Sequence, residues 1–318
     1  MGEIPPMLGS LAYLQDIYIG RNNLTGNIPS SIGNLSFLSS LSLIKNRLVG
    51  SIPDSLGKLS NMNILYLSGN KLSGVVPPSI FNLSLLTNLD LVMNDLEGNL
   101  PSDLGNTLPQ LQWFSIFSNR FAGHIPASIS NSSNLQVLEL NTNHLQGRVP
   151  SLHKLTRLNT LVLDQNSLGY GQVGDLNFVL SLANTTNFQH LGIGENNFKG
   201  VFPKTICNLS SLSALRLPDN NIAVENVATL QFLDADNNSL SGVIPQGIGK
   251  IQNLQDLFLG RNQISGVIPT SIGNLTKMSI LSLSNNRLVG QIPSSLGNCI
   301  SLNELDLSNN SLSKSIPP

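Results

Sequence analysis

Residue types able to do chemistry are sparse in this chain and poorly spaced for it. The four histidines, His124, His144, His153 and His190, are scattered, and none belongs to an H-E-x-x-H pairing that would aim two ring nitrogens at one metal. No G-x-x-x-x-G-K run is present to cradle a phosphate, and Gly192-Ile193-Gly194 is too short to replace one. Asp234 and Asp236 alternate along an extended stretch, so they share one strand face and have the spacing of paired carboxylates or a cation site. With no pocket expected around them, they read as a solvated pair. Cys207 and Cys299 lie several repeats apart, where adjacent strands are separated by about 4.8 Å, too far for a disulfide, and both read as buried thiols. The chain is therefore expected to be non-catalytic and to hold no metal or other cofactor.

The elements that would position any functional group recur along the whole sequence. Leu135-x-x-Leu138-x-Leu140-x-x-Asn143-x-Leu145-x-Gly147-x-Val149-Pro150 is one copy, and the asparagine returns at Asn22, Asn46, Asn70, Asn94, Asn119, Asn143, Asn166, Asn196, Asn220, Asn238, Asn262, Asn286 and Asn310. Most intervals are about 24 residues, and the pattern resembles the leucine-rich repeat, L-x-x-L-x-L-x-x-N-x-L. In the copy beginning at Leu38, Leu41 and Leu43 point inward while Ser42 and Ile44 face out of the strand. Asn46 then satisfies backbone groups at a turn, Gly50-x-Ile52-Pro53 turns the chain again, and residues 55–59 return along the opposite side. The fold class that follows is an α/β repeat solenoid, a leucine-rich-repeat superhelix with one parallel concave sheet and irregular or short helical convex arms. A single solenoid is expected over residues 1–318, with about thirteen repeats. The first and last are incomplete, and the repeat is irregular at 167–190 and 221–232.

Within the first irregular stretch, residues 175–183 read as a short helix with Asp175 as its N-cap. In the second, residues 223–227 replace the Gly-x-Ile-Pro arm, which predicts a local kink; Lys314 stands where other repeats place glycine. A net charge of −1, with 11% charged and 5% aromatic residues, argues against nucleic acid or an anionic membrane as partner. The sequence contains no signal peptide and no apolar run approaching about 18 residues, so no direct membrane contact is expected from this segment.

Gly266-Val267-Ile268-Pro269 followed by Ser271-Ile272-Gly273-Asn274-Leu275 resembles the plant-specific subclass of leucine-rich repeats, and that resemblance covers essentially the whole chain. Residues 175–184, with Leu191-Gly192-Ile193-Gly194-Glu195-Asn196-Asn197, look like the matching part of plant receptor-like kinases related to the receptors for flagellin and elongation factor. The resemblance implies a sensor on the extracellular side of the plasma membrane that binds a peptide or protein. It further implies recruitment of a co-receptor ectodomain and signalling through a kinase in defence or development. The family's signal peptide, paired-cysteine caps, transmembrane helix and kinase have no counterpart in this sequence, which therefore reads as an ectodomain fragment. The alternatives are a secreted inhibitor of a pathogen's wall-degrading enzyme, built on the same repeat, and a non-functional truncation.

Recognition is expected on the concave face. There Tyr18, Ile44, Ile64, Tyr66, Val92, Met93, Trp113 and Phe117 make an apolar and aromatic stripe suited to a protein or peptide ligand. Arg21, Lys45, Arg47, Lys71 and Arg120 would form a basic edge beside it. Asp164, Glu195, Asp219, Asp234 and Asp236 would form an acidic patch around Arg216. Sequons at Asn34, Asn82, Asn131, Asn184, Asn208 and Asn274 fall in or near the convex arm, so glycans there would leave the concave face open. Sequons at Asn23, Asn237 and Asn309 fall at turns or strand ends.

Overall fold

A three-residue strand carrying one inward leucine cannot hide that side chain alone, and the neighbouring repeat supplies the cover. The computed structural model describes residues 2–203, 209, 211–223 and 230–313, which divide into two units, Met1–Leu168 and Gly169–Pro318. The first unit aligns seven parallel strands in register, Asp16–Tyr18, Ser40–Ser42, Ile64–Tyr66, Asn88–Asp90, Trp113–Ser115, Val137–Glu139 and Thr160–Val162. The second unit aligns six, His190–Gly192, Ala214–Arg216, Phe232–Asp234, Asp256–Phe258, Ile280–Ser282 and Glu304–Asp306. The central residues of the first unit's strands, Ile17, Leu41, Leu65, Leu89, Phe114, Leu138 and Leu161, form one buried row. Leu43, Leu67, Leu91, Ile116, Leu140 and Leu163 form a second, also fully buried. Each unit is thus a stack of leucine-rich repeats, a solenoid with its core between the sheet and the returning arms.

The asparagine row couples each repeat to the one before it. Asn46 Nδ2 donates to Leu43 O in its own turn at 3.1 Å and to Ile19 O of the preceding repeat at 3.0 Å, while its Oδ1 accepts from Leu24 N at 3.1 Å. Asn70, Asn94, Asn119, Asn143 and Asn166 repeat the donation in the first unit. Asn220, Asn238, Asn262, Asn286 and Asn310 do so in the second. The residue immediately before each asparagine is left-handed, with φ of 55° at Arg21, 51° at Lys45 and 50° at Met93; Gly69, at 68°, is the one glycine used there among the described residues. That reversal brings the amide back beneath the strand it has just left.

Beyond the turn, the sequence predicts only a second bend at Gly-x-Ile-Pro, whereas the structure has additional parallel sheets. In the first unit these strands are Val49–Gly50, Lys71–Val75, Asp95–Asn99, Arg120–Gly123, His144–Gly147 and Ser167–Leu168. In the second, Lys199–Val201 pairs with Asn221–Ala223, and Ser241–Val243, Gln263–Gly266, Arg287–Gly290 and Ser311–Leu312 form a further group. The proline that follows sits at the start of a short 3-10 turn such as Ser30–Asn34, Asp54–Lys58 or Thr270–Asn274. Adjacent arms approach so closely that a Cβ on Gly33 would lie 2.3 Å from the Ser55 carbonyl oxygen, which is why glycine stands there.

The irregular stretch holds an α-turn, Asn177–Leu180, continued as a 3-10 turn, Ser181–Asn184. Asp175 does not cap it: the N-cap position is Leu176, and no side chain bonds to that end. The Asp175 carboxylate, only 3% exposed, instead turns back and accepts from the N–H groups of Tyr170 at 3.1 Å and Gln172 at 2.9 Å. In the glycine-rich loop that precedes it, Gly171 N–H donates to Asn197 O at 2.9 Å, and the carboxylate gives the amides on either side of Gly171 an acceptor. Cys299 is a buried free thiol whose Sγ donates to Ile272 O at 3.3 Å, and burial pushes its pKa up. Cys207, the expected kink at 224–227 and Lys314 lie outside the described residues.

Candidate ligand-binding face

Three side chains per repeat point to the strand side of each unit, away from the core: the first and third strand residues, and the residue two beyond; of these, Ser40, Ser42, Ser115 and Val137 are themselves buried beneath their neighbours. In the first unit the strands place Ile64, Asn88, Trp113 and Val137 consecutively in one row, and Tyr18, Ser42, Tyr66, Asp90, Ser115 and Glu139 in the next. The third row, after the strand, holds Ile44, Ser68, Val92 and Phe117. Tyr18 at 64% and Trp113 at 39% exposure stand out from this surface, and Met93, at 54%, occupies a left-handed turn position at its edge. Ile44, Ile64, Tyr66, Val92 and Phe117 are half-buried.

All eight residues therefore lie on or beside one sheet, but in separate groups. Ile64 and Tyr66 share a strand next to Ile44, Val92 adjoins Phe117 and Met93, and Ser42 stands between Tyr18 and Tyr66. Polar groups separate the clusters. Asn88 Nδ2 donates to the Tyr66 hydroxyl at 3.0 Å. Asp90 accepts from Ser68 Oγ at 2.7 Å and from Val92 N at 3.1 Å, and Glu139 accepts from Ser115 Oγ at 2.9 Å. These carboxylates lie in the same register as the aromatic side chains, a consequence of strict strand pairing that no local motif announces.

Along the edge, Arg21, Lys45, Arg47, Lys71 and Arg120 follow successive turns, but Asp95 stands among them and pairs with Arg120 at 2.7 Å. In the second unit, Asp234 and Asp236 share a strand side with Arg216. Burial raises the Asp234 pKa, against the lowering effects of the Asp236 N–H and the Arg216 charge. Asp236 is bound to Arg261 at 2.8 Å, Asp219 accepts from the Asn237 amide, and Glu195 lies at a left-handed turn. The group is thus a mixed-charge cluster, with Arg261 an unforeseen member, and Asp164 belongs to the other unit. Arg216 also lies over the Phe232 ring, 5.9 Å from its centroid, and Phe232 stands 5.8 Å from Phe258. Those aromatics occupy the first and third strand positions, so the repeat register was the signal that could have located them. Nearby, the turns carrying Asn196, Asp219, Asn221, Asn237 and Ser239 line a polar cleft of about 490 Å³.

Among the described residues, no group of three or more His, Cys, Asp or Glu is placed to hold a metal, and no helix is long and apolar enough to cross a membrane. The described sequon asparagines Asn34, Asn82, Asn131, Asn184 and Asn274 are all exposed at the ends of the arm turns, away from the strand face; Asn208 lies outside the described residues. Asn131 is already engaged, donating to Asn106 Oδ1 at 2.6 Å and accepting from Lys154 Nζ at 2.8 Å.

Family models for the leucine-rich repeat match residues 13–35, 61–83, 228–288 and 301–318. Over 98% or more of its length the chain is similar to solved repeat structures. One is a leucine-rich-repeat protein of Leptospira interrogans, 30% identical, with a TM-score of 0.76 and 78% of that chain covered. The chain belongs to the leucine-rich-repeat family. Within that family it is similar to plant receptors: 41% identical over 106 residues to the rice receptor kinase-like protein Xa21, and 39% over 106 residues to the Arabidopsis receptor-like kinase EFR. Each of those alignments spans 33% of this chain and 9% of the receptor. The PEPR1–AtPEP1 structure gives a TM-score of 0.91 at 32% identity, covering all of this chain and 44% of that one. The Arabidopsis receptor kinase HAESA, solved with the peptide hormone IDA and the co-receptor SERK1, gives 0.89 at 32% identity, covering 99% and 53%.

Proposed function

We propose that this chain is a ligand-recognising part of a plant receptor-like kinase ectodomain, and that the strand face of its first unit holds an extended peptide. The observation that carries the reading is the open face itself. Tyr18 and Trp113 stand clear of the surface, with Ile44, Ile64, Tyr66, Val92, Met93 and Phe117 as further contacts around them. Aromatic side chains on a rigid sheet provide contact area at little entropic cost, the property that makes them anchors in protein interfaces. The PEPR1 and HAESA structures, which contain peptides, have the same fold at high similarity and support the assignment. In this reading the chain works on the extracellular side of the plasma membrane. Its arm asparagines Asn34, Asn82, Asn184 and Asn274 carry glycans that leave the strand face open, and a co-receptor ectodomain completes the complex, as SERK1 does with HAESA.

The test is peptide selection on the purified chain, followed by titration of a selected peptide against the Trp113→Ala/Phe117→Ala double variant. Loss of the two anchors is expected to weaken binding at least tenfold, a hot-spot effect, with the circular dichroism spectrum unchanged. Equal affinity for the double variant would remove these residues from the site.

A further inference from the structure

The strand face of the first unit has a charge pattern that its aromatic side chains conceal. Across its seven repeats, the three strand-side positions carry four carboxylates, Asp16, Asp90, Glu139 and Asp164, and no lysine, arginine or histidine. The cations Arg21 and Lys45 are confined to the turn positions at the edge. Two of the acids flank one strand: Asp90 and Glu139 are both in register with Ser115, on the strands to either side. At the usual strand spacing their backbones are roughly 10 Å apart, with Ser115 midway and Trp113 about 7 Å along the same strand. Neither carboxylate pairs with a cation among the described residues. Their described hydrogen bonds come from Ser68 Oγ and Val92 N to Asp90, and from Ser115 Oγ to Glu139.

We propose that this constellation selects the ligand's chemistry: an extended peptide presenting an arginine or lysine over Ser115, its cationic group between Asp90 and Glu139 and its stem along the exposed Trp113 ring. The inference rests on the peptide-binding reading above and adds to it the class of side chain recognised. Charge complementarity favours this occupant over an acidic or purely apolar one. An acidic side chain there would meet two like charges, and an apolar one would desolvate both carboxylates without replacing their water. Serine hydroxyls hold the carboxylates in place without neutralising them, so the negative field remains available to a ligand. The indole ring contributes the strongest cation–π face of any side chain, and its fixed place on the sheet pre-organises the contact.

The experiment is selection of a phage-displayed random decapeptide library on the purified 318-residue chain. The recovered peptides are then synthesised and titrated calorimetrically, each arginine also as citrulline and each lysine as norleucine. A basic residue should be enriched at one fixed position, and its neutral replacement should weaken binding about tenfold or more. Trp113→Leu keeps an apolar contact but loses the π face, and should weaken the charged peptide roughly two- to fivefold. Asp90→Asn/Glu139→Gln should bind charged and neutral peptides nearly alike. Peptides that bind without a basic preference, or whose neutral analogues bind equally well, would overturn the inference and leave the peptide-binding reading standing. Failure of the wild-type chain to retain any peptide would sink that reading and this inference together.

Discussion

Replacing Asn143 by alanine tests the inter-repeat ladder at the point where its bonds can be counted. Asn143 Nδ2 donates to Ile116 O at 3.0 Å, Asn141 O at 3.1 Å and Leu140 O at 3.2 Å, while Oδ1 accepts from Phe121 N at 2.9 Å. The losses are unequal. Ile116 O keeps a donor in Asn119 Nδ2, and Leu140 O keeps one in Asn166 Nδ2, so neither carbonyl is stranded. The Phe121 N–H, beside a side chain that is itself buried, loses its acceptor. One orphaned buried donor costs about 1–3 kcal/mol, and that term sets the expected loss for Asn143→Ala. The control is Asn22, an exposed member of the same row whose described bonds are donations to Ile19 O and Gly20 O, with Ile19 O also served by Asn46. Asn22→Ala takes the described donor only from Gly20 O, at an exposed bond that water can replace, and should change stability by less than about 0.5 kcal/mol. Urea denaturation of both variants, with amide exchange at Phe121 as the local reporter, separates the cases. Equal stability of the two variants, or unchanged Phe121 exchange in Asn143→Ala, would refute the ladder argument.

Three further perturbations have signs fixed by the structure. Gly33→Ala places a Cβ 2.3 Å from the Ser55 carbonyl oxygen and should cost about 1–3 kcal/mol, whereas Gly297→Ala meets open space and should stabilise by up to about 1 kcal/mol; paired melting curves decide it. Asp175→Ala removes the acceptor of the Tyr170 and Gln172 N–H groups and should destabilise by about 1–3 kcal/mol, with exchange at Gln172 rising first. Burial raises the Asp234 pKa, so the folded protein holds this proton more readily than the unfolded chain, and the residue's contribution improves as pH falls through the folded value. Asp234→Asn should therefore raise Tm at neutral pH and flatten the pH dependence of Tm across the carboxylate range; a lower Tm at neutral pH would contradict the assignment of burial as the dominant influence.

The strands, the inward leucines and the asparagine row were legible because each is a residue type returning at a fixed interval, and stacking turns that interval into contact. The left-handed turn before each asparagine was not. Arginine, lysine, methionine, serine, threonine, glutamine and others occupy it, so the backbone there is imposed by the ladder rather than encoded by glycine. The lateral sheets were hidden for a related reason, since Gly-x-Ile-Pro reads locally as a bend and its hydrogen bonds form only when successive repeats align. Asp175 misled through a plausible capping position, because the amides that claim its carboxylate come from the loop before the helix rather than from the helix itself.

The candidate site shows the same limit from the other side. Positions that stack must repeat, so the core and the ladder leave each repeat little freedom; the three outward positions touch their cross-strand neighbours without building the core and can differ from one repeat to the next. Whatever distinguishes this chain from another of the same fold must therefore be written there. In the first unit those positions combine exposed aromatics with carboxylates and no bases, and in the second they set Arg216, Phe232, Phe258 and Asp234 side by side. Apolar patterning alone isolates the aromatic residues and overlooks the acids between them, because a carboxylate on a strand usually signifies nothing more than solubility. Register changes that judgement: once Asp90, Ser115 and Glu139 are known to lie side by side, with Trp113 on the same strand as Ser115, the charges and the ring become parts of one surface. Such a surface discriminates by what it desolvates as much as by what it attracts, so its specificity should fail when the two carboxylates are neutralised even though the aromatic contacts survive.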